Sequence, residues 1–232
     1  MSAKIIVSYD GTANEDDAIA LGRLLHRAGA EVSLAYVRHT HEPDRDRETL
    51  AQHEAEALLE RGAALFGSRD VARHVVTDRS TPDGLGMLAE SQGADVIVFC
   101  SDSHTAKGHI AVGNSAERLM EGGRTAIAVA PAGLAAEGAE PGIQQVVAVG
   151  DGDGGAAATA QALASALGAT VEPVLNADSD LMIVDSRPEA EHGRISISAS
   201  ASHLIEVAMC SVLVLPRGVE LPFGRARAGA AA

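Results

Sequence analysis

Residues 94–131, ADVIVFCSDSHTAKGHIAVGNSAERLMEGGRTAIAVAP, constrain this chain's fold more than any other stretch. Asp95–Phe99 is a short apolar run with β-branched residues, the pattern of a strand buried on both faces of a parallel sheet. A polar loop, Cys100–Gly113, follows it, and Ser115 opens a helical pattern that Gly122 and Gly123 stop. A second apolar strand, Thr125–Ala130, ends at Pro131. Strand, loop, helix and strand make a right-handed crossover. Its loop leaves the carboxyl end of a parallel strand and feeds a helix N-terminus, where open α/β sheets bind ligands and backbone N–H groups favour anions.

The pattern then recurs. Asp180–Val184 matches Asp95–Phe99, His203–Glu206 matches Arg118–Glu121, and Ser211–Pro216 matches Ala126–Pro131, each 85 positions later. One shared offset for three matches marks an internal repeat. Upstream, Val146–Gly152 repeats Ile5–Gly11, Ala156–Leu167 repeats the first helix, and Thr170–Leu175 repeats the second strand. The second copy is shorter and lacks counterparts of the second helix, third strand and third helix.

The first copy runs β-α-β-α-β-α-β-α-β. Lys4–Tyr9 is its first strand, followed by Asp10-Gly11-Thr12. Ala18, Leu21, Leu25 and Ala28 form one helical face, Glu31–Val37 is a strand, and Thr49–Phe66 is a helix with Leu50, Ala57, Leu58 and Leu65 inward. Val71–Thr77 is a third strand, and Ser80 caps a helix with Pro82 in its first turn. Five parallel strands with helices on both faces is the expected result. Residues 132–144 read as an Ala-, Gly- and Pro-rich linker, and residues 219–232 as a flexible tail.

A net charge of −14 argues against a nucleic-acid partner, which needs a basic face. No apolar run reaches about 18 residues, so no membrane span is expected. The chain enters a strand at once without a signal-peptide pattern, and a cytoplasmic location is expected. Cys100 and Cys210 read as free thiols.

In its first-strand signature IIVSYDG, its strand ADVIVF and its segment GNSAERLMEGGRTAIAVAP, the sequence resembles the universal stress protein family in tandem form. The likeness spans residues 4–131 and, abbreviated, 145–216. It implies a tandem Rossmann-like fold (adenine nucleotide alpha hydrolase-like). A full domain of residues 1–131 and a truncated one of residues 145–218 would be joined through antiparallel pairing of their last strands. Such pairing makes an internal pseudo-dimer, and a further homodimer stays open. The resemblance also implies ATP or a related adenine nucleotide, with magnesium accompanying it, in a stress-response role. ATP-binding relatives carry G-x2-G-x9-G-[ST] in the loop. Here Cys100, Ser103, Gly113 and Asn114 stand at those places, and Asp185, Pro188, Ser198 and Ala199 stand there in the second copy. Asp185 adds negative charge, so only the first copy is expected to bind nucleotide.

The site residues implied are Asp10 and Val37 at the nucleoside, and Ser101, Ser103, Gly108, Gly113, Asn114 and Ser115 at the phosphates. Each has a plainer reading: Asp10 as an Asx-turn, Val37 as core, and Gly113 to Ser115 as an ordinary helix start. Gly113 is expected to supply left-handed backbone and close approach. His104, Lys107 and His109 share the loop and are read as solvated or phosphate-facing. His39 and His41 beside Glu42 lack further metal ligands, and Gly150–Gly155 lacks the glutamate that closes a calcium loop. No nucleophile, Walker lysine or carboxylate pair specifies a reaction, so at most slow ATP hydrolysis is expected. A nucleotide-free scaffold is the alternative.

Overall fold

A computed structural model describes residues 2–12, 14–39, 44–136, 142–150 and 153–224. Among these residues nine strands form one sheet. They are β1 (Lys4–Ser8), β2 (Glu31–Arg38), β3 (Ala72–Thr77), β4 (Val96–Cys100), β5 (Ala126–Ala130), β6 (Gln145–Val149), β7 (Thr170–Glu172), β8 (Leu181–Asp185) and β9 (Ser211–Leu215). Among the described residues six α-helices flank them: α1 (Glu15–Arg27), α2 (Arg45–Phe66), α3 (Thr81–Gln92), α4 (Asn114–Met120), α5 (Gly155–Leu167) and α6 (Ala199–Val207).

The strand order is β3-β2-β1-β4-β5-β9-β8-β6-β7. Every neighbouring pair is parallel except β5 and β9, which run antiparallel. The sequence expectation of an α/β fold joined at its last strands is met. The antiparallel register pairs Ile127 with Val214, Ala128 with Leu213 and Val129 with Val212. β7 leads to β8 by a short connection without a helix, so the second half carries four strands to the first half's five.

The central strands are apolar throughout because helices cover both faces. α1, α2 and α5 pack on one face through residues such as Leu21, Leu59 and Leu163. α3, α4 and α6 pack on the other through Leu85, Met120 and Ile205. On α2 the buried stripe is Ala55, Leu59, Gly62, Ala63 and Phe66, while Leu50 and Leu65 are exposed. This differs from the expected face by about one position. Gly62 decides it: a Cβ there would lie 2.9 Å from Tyr9 Cδ1, so the helix settles on its smallest residue.

The tail also differs from expectation. Leu221 and Phe223 are buried, Leu221 N–H donates to Thr159 Oγ1 at 3.1 Å, and Gly224 N–H donates to Ala28 O at 3.0 Å. Residues 219–224 therefore pack against both halves, on α5 at Thr159 and on the first half at Ala3 and Ala28, and the two large apolar side chains join the core on that face. The linker's described ends are anchored as well. Asp17 accepts N–H groups from Gly133 and Ala135, both at 2.7 Å, and Ile143 is buried.

Candidate functional site

β1 and β4 lie side by side and parallel, yet the chain between them visits β2 and β3 on one flank before returning. Such a reversal is the place where open α/β sheets hold a ligand crevice, beyond the strands' carboxyl ends. The turn after β1 and the loop after β4 line it, and Asn14 Nδ2 donates to Asp102 O at 3.0 Å across it.

Asp10 is exposed, and its Oδ1 accepts from Thr12 N–H at 2.9 Å, which is the Asx-turn geometry. Behind it stands Glu15, a residue the sequence reading passed over. Glu15 is buried in the first turn of α1 and accepts the N–H groups of Asp10 and Gly11. Burial first, and then the Asp10 carboxylate, push its carboxyl up to about 9. At neutral pH it stays protonated, as one of two close carboxyls must. The acidic run Glu15-Asp16-Asp17 announces a helix start, but nothing in the string shows which carboxyl folds back onto its own strand end.

Cys100 ends β4 half-buried, and burial with nearby Glu15 and Asp10 pushes its thiol up to about 12. It is a neutral thiol, in keeping with a structural role. Ser101 is fully buried, and its hydroxyl donates to Ala130 O at 2.7 Å and accepts Ala111 N–H at 3.3 Å. Ser103 is exposed, with Oγ 3.2 Å from His104 Nδ1. Gly108 has φ +82° and donates to Ala132 O at 2.7 Å. A Cβ on it would lie 3.9 Å from Met209 Cε, so it sits against the second half. Lys107 lays its stem over Gly133, where a Cβ would come within 2.6 Å of Lys107 Cγ.

Gly113 has φ −76° and ψ 157°, ordinary extended backbone, so the expected left-handed conformation is absent. What the glycine provides is space: no atom lies within 4 Å of the place its Cβ would take. It also leaves α4 without a side-chain cap. Exposed Asn114 and half-buried Ser115 begin that helix. Val37 is buried beneath the start of α3, where a Cβ on Gly84 would lie 3.1 Å from Val37 Cγ1.

The second half repeats the loop but fills it. Ser186 takes the part of Ser101, donating to Leu215 O at 2.7 Å and accepting Ser196 N–H at 3.0 Å. Ser198 stands where Gly113 does and caps α6, accepting Ala201 N–H at 3.2 Å. Asp185, in Cys100's place, accepts Ala156 N–H at 2.8 Å at the start of α5. Burial raises its carboxyl, opposed by that N–H.

His39 Nε2 lies 3.3 Å from Thr81 Oγ1, while His41, Glu42, Asp151 and Gly152 lie outside the described residues. Among the described residues no group of three or more His, Cys, Asp or Glu could hold a metal ion. Nor is any described helix long and apolar enough to cross a membrane.

Among solved structures, a universal stress protein from Archaeoglobus fulgidus DSM 4304 superposes with a TM-score of 0.66 at 13% identity, covering 94% of this chain and 100% of that one. A functionally unknown protein from Pseudomonas aeruginosa PAO1 gives a TM-score of 0.61 at 14% identity, covering 93% of each chain. At these identities the likeness shows the fold alone. No curated protein matches the sequence significantly. The sequence profile of the universal stress protein family matches residues 1–131, more than half of the chain. This chain therefore belongs to the universal stress protein family.

Proposed function

We propose that this is a stress-response protein whose first half binds ATP or a related adenine nucleotide in the crevice between β1 and β4, while its second half binds none. The observation that carries this reading is the contrast between Gly113 and Ser198. Ser198 spends its hydroxyl on capping α6, whereas Gly113 leaves the first N–H groups of α4 without a side-chain cap and the space before them open. Uncapped N–H groups at a helix start attract phosphate oxygens.

Two further features support it. Glu15 is neutral at pH 7, so the crevice carries less negative charge than its composition implies. Cys100 is an uncharged thiol where the second half places a carboxylate. In this reading Asp10 takes the ribose hydroxyls, and Gly113, Asn114 and Ser115 hold the phosphates, with magnesium arriving bound to them. Ser101 shapes the loop from inside, and Val37 supports the floor from beneath α3. Residues 1–131 and 145–218 act as two domains of an internal pseudo-dimer, with 132–144 between them.

A nucleotide-free scaffold is the second reading, favoured by the side chains at Cys100 and Ser103 where relatives that bind ATP carry glycine. Titrating ATP and AMP while following backbone amide shifts decides between them. Changes at residues 10–15 and 100–116, with residues 185–202 silent, are expected. Silence throughout at millimolar nucleotide would establish the scaffold, and changes centred on 185–202 would place the site in the wrong half.

A further inference from the structure

α4 and α6 are counterparts in the two halves and pack on the same face of the sheet, which joins the halves at β5 and β9. Between them lies a cavity of ≈ 560 Å³, walled by the two helices and by the residues that lead into each. Its walls repeat at the offset of 85. Val112 and Ile197 are counterparts, as are Met120 and Ile205, and as are Glu121 and Glu206. The relation that pairs β5 with β9 thus builds the cavity from both halves, and neither half holds it alone.

The lining is apolar inside and carries charge of one sign at its rim. Met120 and Ile205 are buried, and Val112 and Ile197 are half-buried beside them. Glu117, Glu121 and Glu206 are exposed carboxylates, and Ser202 stands where the repeat of Glu117 would fall. No Lys, Arg or His lines the cavity. Glu206 Oε2 is 3.9 Å from His203 Nδ1, beyond hydrogen-bond distance. Among the described residues the Glu117 and Glu121 side chains have neither a hydrogen bond nor an ion pair. Like charges gathered at an apolar cleft focus a negative potential into it.

We propose that this cavity binds a small organic amine, an ammonium group on an apolar body of about ten carbon atoms, a size that cavities of this volume hold. The ammonium group donates to the rim carboxylates. The body packs on Met120, Ile205, Val112 and Ile197, where the flexible thioether fits itself to an irregular shape. The rim repels an acid that carries the same body, and the apolar lining gives a bare hydrated cation nothing to gain. None of the residues assigned to the nucleotide lines this cavity, so the proposal stands apart from that reading.

The test is an amide-shift titration of the full chain with 4-phenylbutylamine, 4-phenylbutyrate and methylammonium. The amine is expected to bind at about millimolar affinity, as its size implies, and to move residues 110–121 and 197–206. Phenylbutyrate should bind about tenfold more weakly or less, and methylammonium should move nothing in a saturable way. Glu121→Gln and Glu206→Gln should each weaken the amine about threefold, the effect of one exposed charge. Glu60→Gln changes the net charge equally but lies on α2, on the other face of the sheet, and should leave affinity unchanged. Ser202→Phe should abolish binding by filling the cavity with every charge kept. Glu121 and Glu206 are exposed and Ser202 is half-buried, so the folded spectrum should persist in these variants. Phenylbutyrate binding as tightly as the amine, shifts centred elsewhere, equal weakening by Glu60→Gln, or unchanged affinity in Ser202→Phe would overturn the proposal.

Discussion

Ala128 of β5 and Leu213 of β9 face each other at the centre of the antiparallel step between the two halves. They are 85 positions apart, the same offset that relates the two sequence copies. Each is the other's counterpart, so the pairing is self-complementary, as at a two-fold axis. The two strands cover edges that would otherwise expose unpaired N–H and C=O groups.

The second half should therefore not fold alone. All five residues of β9 are buried, and residues 219–224 lean on Ala28 and Ala3 of the first half. Residues 145–232 expressed by themselves should show no cooperative unfolding transition by circular dichroism. In the full chain, Leu213→Ala should cost about 2–4 kcal/mol in urea denaturation, the range for opening a cavity in a packed core.

The helix starts give an asymmetric pair. Ser198→Ala should cost about 1 kcal/mol, because it removes a cap. Gly113→Ser should gain a few tenths of a kcal/mol, because it adds one in backbone that any residue can adopt. The same Gly113→Ser change should weaken nucleotide binding, measured by titration calorimetry, while Ser198→Ala leaves it unchanged.

Ser101 and Ser186 hold matching loops by matching bonds. Ser101→Ala and Ser186→Ala should each cost about 1–3 kcal/mol by orphaning a buried backbone group. Chemical denaturation of the two variants should give similar losses. A loss at only one would mean that the two loops are not held alike.

Glu15 predicts a pH dependence. Its folded carboxyl titrates near 9 against an ordinary value of 4.5, so between those values the folded chain holds a proton the unfolded chain has lost. Stability from this group is greatest below its unfolded value and falls as pH rises from there toward 9, by at most about 1.4 kcal/mol per pH unit. Glu15→Gln should flatten that decline. Urea midpoints for both proteins at pH 5, 6, 7 and 8 test it, and parallel curves would mean that Glu15 is ionised when folded.

Much of this was legible in the string. The apolar runs Ile5–Val7, Ile97–Phe99 and Val212–Leu215 mark strands because helices cover both faces of a parallel sheet and leave no polar side. The repeat offset carried the loop conformation too. Gly108 and Gly193, 85 apart, have φ +82° and +73°, although the second loop has lost the glycine at the Gly113 place. The inward face of α2 was misread because Leu50 and Leu65 obey a helical period but lie off the stripe that Gly62 sets.

The sequence by itself determined the succession of strands and helices along each copy, the missing elements of the second copy and the location of the loop after β4. These follow from local pattern and from repetition, which a string displays. Only the tertiary structure decided that Glu15 turns back to its own strand end, that Val37 lies under α3, and that residues 219–224 bridge the two halves. Each depends on which groups from distant segments meet, and on how much water they lose when they do. Burial and electrostatic environment belong to the folded arrangement, and no single position in the chain encodes them.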